Sequence, residues 1–366
     1  MSERKIKSLY VHIPFCEHIC DYCDFAKVQY FSLFAQSYIK ELQKELQSYN
    51  IPDDLETIYI GGGTPTALED NLFLELLKML SSYTKSVKEY TVEVNPESLS
   101  INKLKKMKEY GVNRISIGVE TTNDELLKSI NRHHTFNDVE IAVNSAKKIG
   151  FDNLNVDLIL GLPGASIEQI KEDLIKLTGL DVQHISCYSL TVHPNTVFYL
   201  KGIQEPLGDV AREYYDFVHA FLKEKGFIHY EISNWAKPGF CSRHNYTYWK
   251  NEQYFGVGLG ASGYIGSTRY TNTKSINEYL KGKRIDYQEN VSKNDEIEYQ
   301  IMLNLRTIEG IDLKEFEERF GFDLYQQKSK EINNLINRGL LKKDENKLVA
   351  TYGGMMVLDQ IILKLI

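Results

Sequence analysis

Short apolar runs alternate with amphipathic stretches along the first half of the chain. In the stretch 31–49 the apolar positions recur at four-residue spacing, which is typical of a helix that packs on one face. The alternation of strand and helix predicts a parallel sheet, open or closed. The predicted strands cover residues 9–13, 57–60, 90–94, 114–119, 154–160 and 184–190, and the predicted helices cover residues 31–49, 72–80, 101–110, 123–130, 137–149 and 167–177.

The pattern changes in the second half of the chain. Residues 256–266 hold five glycines, and the composition becomes polar over residues 281–293, which we interpret as a domain boundary. From residue 295 onward three short helical patterns precede a predicted hairpin at 340–350 and a last helix at 357–365. The length of 366 residues and the hydrophobic content of 42% fit one large domain plus a smaller one.

Three of the five cysteines stand together, spaced C-x3-C-x2-C, directly after the first predicted strand. Three thiolates on one loop can ligate a metal centre, and an iron–sulfur cluster held by only three cysteines keeps one iron open to a further ligand. Zinc held by three cysteines and His12 or His18 is the alternative, although zinc ligands more often form two separated pairs. A disulfide is disfavoured because the cysteines are odd in number and follow no secretory signal. The metal ligands predicted here are Cys16, Cys20 and Cys23.

Further unusual residues fall at the carboxyl ends of later strands, where barrel enzymes keep their active sites. A glycine run at 61–63 follows the second strand, Glu93 and Glu120 end the third and fourth strands, and Asp157 lies on the fifth. Glycine lets the backbone approach a ligand, and carboxylates accept hydrogen bonds from ammonium and hydroxyl groups. A salt bridge or a helix cap is the alternative for any single carboxylate, but their shared position favours a common site.

The string H-I-P-F-C-x3-C-x-Y-C resembles the radical S-adenosylmethionine (SAM) superfamily, and within it the group of oxygen-independent coproporphyrinogen oxidases and heme chaperones. The resemblance implies an α/β fold, a partial (β/α)6 barrel with a small C-terminal α+β domain of winged-helix-like shape. It also implies a [4Fe–4S] cluster whose open iron binds SAM. The positions that match SAM-contacting sites of the family are Tyr10, Tyr22, Gly62, Gly63, Thr64, Glu93, Glu120, Arg132 and Asp157. Glu120 departs from the glutamine usual in the family, so we expect the SAM contacts to survive with altered detail.

Two departures separate the chain from the oxidases of this group. The oxidases carry a further cysteine where this chain has Phe25, and an N-terminal extension where this chain reaches its first strand by about residue 9. The segment His244–Trp249, H-N-x-x-Y-W, resembles a motif of the heme chaperones. It implies heme binding through His244 and Trp249, since histidine is a regular heme ligand and aromatic rings offer a flat apolar surface. A buried, hydrogen-bonded histidine is the alternative, and Cys241 is another possible ligand.

The resemblance divides the chain into a barrel with the cluster and SAM sites (1–235), a segment with H-N-x-x-Y-W and the glycine-rich stretch (236–290), and a small C-terminal domain (291–366). The formal net charge of −7 without long charged runs argues against nucleic-acid binding, and no long apolar stretch or signal peptide is present. We therefore expect a cytoplasmic protein, not integral to a membrane, that carries heme to acceptor haemoproteins. Its further partners are an electron donor if SAM is cleaved, and a second copy in a possible homodimer. The alternatives are coproporphyrinogen dehydrogenase or a heme-modifying radical methyltransferase, and no residue is assigned as catalytic.

Overall fold

The computed structural model describes residues 5–366. Each of the six strands predicted in the first half is present, and these strands lie side by side in parallel. The partial (β/α)6 barrel is thereby confirmed. The elements of this half are β1 (Ser8–Ile13), β2 (Phe15–Cys16), β3 (Val28–Gln29), α1 (Ser32–Ser48), β4 (Thr57–Gly62), α2 (Asp70–Leu80), β5 (Glu89–Val94), α3 (Ile101–Glu109), β6 (Arg114–Glu120), α4 (Asp124–Ser129), α5 (Phe136–Ile149), β7 (Leu154–Leu160), α6 (Ile167–Gly179) and β8 (His184–Ser189).

Helix α5 shows how the sequence sets the bounds of these elements. The Thr135 side chain accepts from the Asp138 backbone and the Asp138 carboxylate accepts from the Thr135 backbone, which is a capping box that begins the helix. Gly150 ends it with a φ of 99°, a conformation that glycine adopts without steric cost. Between them Val139 and Val143 are fully buried on one face, and each such side chain contributes about 1.5–3 kcal/mol by leaving water.

Three short strands that were not predicted extend the barrel sheet on both sides, namely β9 (Ile228–Glu231), β10 (Asn234–Ala236) and β11 (Phe255–Val257). β10 pairs antiparallel with β8 and with β9, while β11 pairs in parallel with the outer edge of β1. The sheet thus has nine strands in the order β11-β1-β4-β5-β6-β7-β8-β10-β9, with β11 and β9 at opposite edges. The additional helices are α7 (Val197–Leu200), α8 (Gly208–Glu224) and α9 (Arg243–Trp249).

A separate antiparallel sheet begins within the glycine-rich stretch. It is formed by β12 (Ser262–Ile265), β13 (Thr268–Asn272) and β14 (Ile285–Asn290), with α10 (Ile276–Leu280) between the last two. The polar residues 281–293, interpreted above as a boundary, therefore contain a strand. The buried Glu45 carboxylate of α1 joins this region to the barrel, because it accepts hydrogen bonds from the Gly258 amide at 2.9 Å, the Asn272 amide at 2.7 Å and the Tyr279 hydroxyl at 2.5 Å.

The C-terminal part has its own hydrophobic core, which includes Leu305, Ile332, Leu348 and Ile361. The predicted hairpin and last helix are present, and four helices stand where three helical patterns were expected. The elements are α11 (Lys293–Asn304), β15 (Ile311–Asp312), α12 (Leu313–Phe320), α13 (Leu324–Gln327), α14 (Ser329–Asn337), β16 (Leu341–Asp344), β17 (Lys347–Ala350), α15 (Tyr352–Met355) and α16 (Leu358–Leu365), and the three strands form one antiparallel sheet. Within residues 5–366 no helix combines the length and the apolar character needed to cross a bilayer. The boundaries at residues 235 and 290 stay predictions.

Candidate functional site

One cavity of about 290 Å³ lies at the carboxyl ends of the barrel strands. Its wall collects side chains that are far apart in the sequence, because parallel strands bring their carboxyl ends to the same edge of a sheet. The predicted site residues that line this cavity are Cys16, Cys20, Cys23, Tyr22, Gly62, Gly63, Thr64, Glu93, Glu120, Arg132 and Asp157. Three predicted site residues, Tyr10, His244 and Trp249, are not among the lining residues.

The cysteine loop is closed at its base by a short parallel pairing in which Cys16 of β2 faces Gln29 of β3. All three thiols are free, and burial raises the pKa of Cys16 to about 12 and that of Cys23 to about 11. A thiol in such surroundings ionises when a cationic metal centre binds it. Two side chains donate hydrogen bonds to the sulfur atoms. Thr64 Oγ1 is 3.9 Å from Cys16 Sγ, and Arg132 Nη1 is 3.9 Å from Cys20 Sγ.

This donor set fits a cluster. Within residues 5–366 no three His, Cys, Asp or Glu side chains converge closely enough to hold one metal ion. A [4Fe–4S] cube does not require that convergence, because each cysteine reaches a different iron atom. Three thiols around one cavity, two of them facing donors, are therefore suited to three corners of a cube.

The glycine run is required by close contacts. A Cβ atom on Gly63 would lie 2.7 Å from the Pro14 carbonyl oxygen and 2.9 Å from Cys16 Sγ, so only glycine allows the cysteine loop to pass. Gly62 has a φ of 118° and its amide donates to Glu93 Oε2 at 3.0 Å. The glycines thus allow the cysteine loop to pack against the end of β4, and the Gly62 amide orients the Glu93 carboxylate.

Two half-buried carboxylates, Glu93 and Asp157, line the cavity. Glu93 accepts from the Tyr59 hydroxyl at 2.7 Å, and Asp157 accepts from the Asn155 amide at 2.8 Å. Burial, reinforced by the charge of Asp157, raises the pKa of Glu93 to about 7, and the pKa of Asp157 is raised by burial as well. A cation or a set of hydroxyl donors inside the cavity would stabilise the ionised forms, so this wall is suited to a ligand that carries both.

Glu120 and Arg132 form a buried ion pair in the cavity wall, and the Glu120 backbone is strained. Glu120 is one of few non-glycine residues with a positive φ, 68°, and it lies where the pairing of β6 with β7 shifts register. Its carboxylate is 3.7 Å from Arg132 Nη2, whose guanidinium also donates to the Gly118 carbonyl. A backbone conformation of this kind costs about 1–3 kcal/mol and is concentrated at functional sites. The Glu120 side chain is therefore held in place by a neighbouring cation.

Tyr10 lies beside the cavity and is connected to the cysteine loop by hydrogen bonds through His12. The Tyr10 hydroxyl is 2.9 Å from His12 Nδ1, and His12 Nε2 is 2.7 Å from the Ala26 carbonyl oxygen. If Nδ1 accepts from tyrosine, Nε2 carries the proton and donates to Ala26. His12 is 4% exposed, so this chain of bonds anchors the end of the cysteine loop to β1 from inside the protein.

His244 lies at the amino end of the barrel. Its Nδ1 is 2.8 Å from Thr57 Oγ1, its Nε2 is 2.8 Å from the Tyr248 hydroxyl, and the residue is 1% exposed. Glu89, the first residue of β5, accepts from the backbone amides of Arg243 and His244 and so caps α9. This geometry favours the packing interpretation of His244, because iron could be bound only after one of these hydrogen bonds opens. Heme ligation by His244 stays a prediction from the sequence.

Trp249 ends the same helix, and its carbonyl oxygen accepts from the Asn304 amide of α11 at 2.7 Å. Its indole nitrogen is buried and has no hydrogen-bond partner in the described part of the chain. The contact joins the end of α9 to the C-terminal helices, which is a structural role. Heme binding by Trp249 likewise stays a prediction.

Several lining residues were not predicted. They include Asn95, whose amide donates to Thr64 Oγ1 at 3.1 Å, together with His18, Asp24, Phe25, Lys27, Ser116, Tyr188 and His193. The rule that sites lie at strand ends would have pointed to residues 188–193, which cover the carboxyl end of β8 and the start of the loop after it. Isolated side chains there carry no pattern that distinguishes them from ordinary loop residues.

Comparisons with known proteins agree with this architecture. The model of the radical SAM superfamily matches residues 10–177, and the model of the HemN C-terminal domain matches residues 291–357. The solved structure of coproporphyrinogen III oxidase (HemN) from Escherichia coli superimposes with a TM-score of 0.84 at 22% identity, covering 100% of this chain and 91% of that one. At that identity the likeness shows the fold alone.

Curated relatives reach higher identity. The heme chaperone HemW of Lactococcus lactis subsp. lactis (strain IL1403) is 41% identical over 361 residues, covering 96% of this chain and 95% of the relative. The heme chaperone HemW of Bacillus subtilis (strain 168) is 39% identical over 371 residues, covering 97% and 98%. The fold and the cysteine-lined cavity thus define a radical SAM protein. Within that class the chain belongs to the HemW family, which confirms the resemblance seen in the sequence.

Proposed function

We propose that this chain is a cytoplasmic heme chaperone that binds heme and transfers it to acceptor haemoproteins, and that it carries a [4Fe–4S] cluster and SAM. The proposal is supported by membership of the HemW family, whose members named above are heme chaperones. The single structural observation that carries it is the cavity in which three cysteines, the glycine run and three carboxylates come together.

In this proposal Cys16, Cys20 and Cys23 hold the cluster. When bound, the cluster supplies an open iron for SAM and an electron for its cleavage. Thr64 and Arg132 donate toward the sulfur atoms of Cys16 and Cys20, which tunes a cluster's reduction potential. An external electron donor is needed only where SAM is cleaved.

SAM would be held by groups on the cavity wall. Glu93 and Asp157 accept hydrogen bonds from its cationic and hydroxyl groups, while Gly62 and Gly63 give it access to the backbone of β4. Burial raises the pKa of Glu120 to about 7, and the Arg132 guanidinium beside it offsets part of this shift. Both side chains line the same cavity. Tyr22, half-buried beside Glu120, offers an aromatic face on the cysteine loop where an adenine ring could pack.

Coproporphyrinogen dehydrogenase is the main rival function, since the oxidase HemN shares this fold. Phe25 argues against it. This side chain is 64% exposed at the mouth of the cavity, at the place where the oxidases of the group carry a further cysteine. An aromatic ring there provides apolar surface and cannot serve as a thiol.

The test is a comparison of two assays on the anaerobically reconstituted full chain. In the first assay heme-loaded protein is mixed with an apo-haemoprotein, and the acceptor's absorption spectrum reports transfer. In the second assay the reduced protein receives SAM and coproporphyrinogen, and the porphyrin products are separated. We expect heme transfer without decarboxylation. Decarboxylated product at catalytic turnover would establish the rival function, and a methylated or opened heme would establish a radical methyltransferase. Sedimentation of the same samples tests the homodimer.

A further inference from the structure

The nine histidines of the chain differ in whether they can offer a ring nitrogen to a large ligand. Five of them are less than 9% exposed, namely His12, His134, His184, His229 and His244. His219 is stacked on Tyr352 at 4.1 Å between ring centroids, beneath the C-terminal domain. The exposed histidines are His18, His133 and His193, and of these His18 and His193 line the cavity described above.

His193 has a further property that fits a metal ligand. It lies in the loop after β8, its side chain is 46% exposed, and its Nε2 is 3.5 Å from Asp24 Oδ2. A carboxylate next to one ring nitrogen orients an imidazole and leaves the other nitrogen for a metal ion. Asp24 directly follows Cys23, the last cysteine of the cysteine loop, so the His193 imidazole lies on the rim of the cavity beside that loop.

Two large exposed aromatic side chains line the same cavity as His193 and offer apolar surface to a porphyrin face. Phe25, the neighbour of Asp24, is 64% exposed, and Tyr188 of β8 is 43% exposed, and both line the same cavity. Ile159, Leu190 and Phe198 belong to a small hydrophobic cluster against which Tyr22 packs, and Ile159 and Leu190 line the cavity as well. Large exposed aromatic side chains that border a cavity are typical of a ligand-binding surface.

We propose that heme binds at this mouth of the cavity, with His193 as a ligand of the heme iron and Phe25 as a surface for the porphyrin face. The inference rests on the proposed function, and it places heme at the carboxyl end of the barrel, next to the cluster loop. His244, by contrast, is enclosed at the amino end with both ring nitrogens hydrogen-bonded.

The test is a titration of the reconstituted full chain with ferric heme, followed through the Soret band. His193→Gly lowers heme affinity by about tenfold or more, a loss of at least about 1.4 kcal/mol, and changes the Soret position because an iron ligand is missing. Free imidazole added to this variant restores the wild-type spectrum by occupying the vacated position. Phe25→Ser lowers affinity but keeps the wild-type Soret position. His219→Gln, which changes a histidine away from the cavity, binds heme as the wild type does.

Other outcomes overturn the inference. Wild-type affinity and spectrum in His193→Gly exclude this residue as the ligand, and loss of binding in His18→Ala or His244→Ala alone moves the site to that residue. If free imidazole does not restore the spectrum of His193→Gly, His193 is not the iron ligand. Circular dichroism checks that each variant is folded, and iron and sulfide analysis checks its cluster content. If the wild-type chain binds and transfers heme and His193→Gly does so equally well, the heme site is elsewhere but the proposed function stands. A wild-type chain that takes up no heme overturns the proposed function, and the site with it.

Discussion

His244 and Thr57 are hydrogen-bonded to each other, with 2.8 Å between His244 Nδ1 and Thr57 Oγ1. Thr57 is the first residue of β4, so the bond fixes α9 against the amino end of the barrel, the end opposite the cysteine-lined cavity. Thr57 Oγ1 continues to Ser8 at 2.9 Å, and Ser8 to Thr247 at 2.7 Å. The histidine of H-N-x-x-Y-W is therefore part of a buried polar network that joins α9 to two barrel strands.

Replacement of His244 by alanine is expected to destabilise the fold. The Thr57 and Tyr248 hydroxyls would lose a buried partner, which costs on the order of 1–3 kcal/mol, and a cavity would remain. Urea unfolding of the apo-protein measures this change in the free energy of unfolding. His193→Ala, on an exposed loop, is the control and should unfold at the wild-type urea concentration. Equal stability of the two variants would contradict a structural role for His244.

The three clustered cysteines should each be required for the cluster. Alanine at position 16, 20 or 23 removes one thiolate and is expected to abolish the broad visible absorption of the anaerobically reconstituted protein. Cys241→Ala serves as the matched control, since this half-buried thiol does not line the cavity. Full iron and sulfide content in all three single variants would disprove the assignment of these ligands.

Asp157→Ala is expected to weaken SAM binding while leaving the cluster spectrum intact. Losing the hydrogen bonds of a buried carboxylate to a charged ligand costs on the order of 1–3 kcal/mol, or about five- to 150-fold in affinity. Calorimetric titration with SAM measures the effect. Asp181→Ala, which removes a carboxylate 72% exposed and paired with Lys147 and Lys237, is the control. Unchanged affinity in Asp157→Ala would leave Asp157 with a structural role only.

Glu93 should make the ligand-free protein less stable as the pH rises. Its pKa in the folded protein, about 7, lies above the ordinary value of 4.5, so the folded state holds the proton more tightly than the unfolded chain. The contribution of Glu93 to the free energy of unfolding is therefore lost as the pH rises from about 4.5 to about 7. The loss is up to ~3 kcal/mol, because each unit of pKa difference corresponds to about 1.4 kcal/mol. Urea unfolding at pH 5.5 and pH 7.5 should show a smaller difference in Glu93→Gln than in the wild type. Identical pH dependence in the two proteins would refute the perturbed pKa.

Gly63→Ala is expected to reduce cluster incorporation. The added methyl group would lie 2.7 Å from the Pro14 carbonyl oxygen and 2.9 Å from Cys16 Sγ, so the cysteine loop has to shift away from β4. Iron and sulfide content after reconstitution measures the result. Gly179→Ala at the end of α6 is the control, because nothing lies within 4 Å of the position that its added methyl group would take. Wild-type iron content in Gly63→Ala would show that the loop tolerates the displacement.

The sequence predicted the barrel strands well because each is an apolar run bounded by polar turns. It did not predict β9, β10 and β11, since three or four residues such as Ile228–Glu231 alternate too briefly to show a period. Glu93 and Asp157 could be placed because strand ends converge in any parallel barrel. The position of His244 could not be predicted, because its motif does not determine which end of the barrel α9 covers. That depends on Glu89 and Thr57, which the linear pattern does not connect to it.

The pairing of β1 with β11 has a consequence for the order of events during synthesis. Leu9, Tyr10 and Val11 lie opposite Phe255, Gly256 and Val257, so one edge of the first strand is completed by residues near position 257 of 366. The Tyr38 hydroxyl strengthens this connection, since it donates to the His12 carbonyl at 2.6 Å and accepts from the Leu259 amide at 2.9 Å. While the nascent chain is shorter than this, the strand that leads into the cysteine loop has an exposed edge. Iron delivery is therefore expected to follow release of most of the chain from the ribosome.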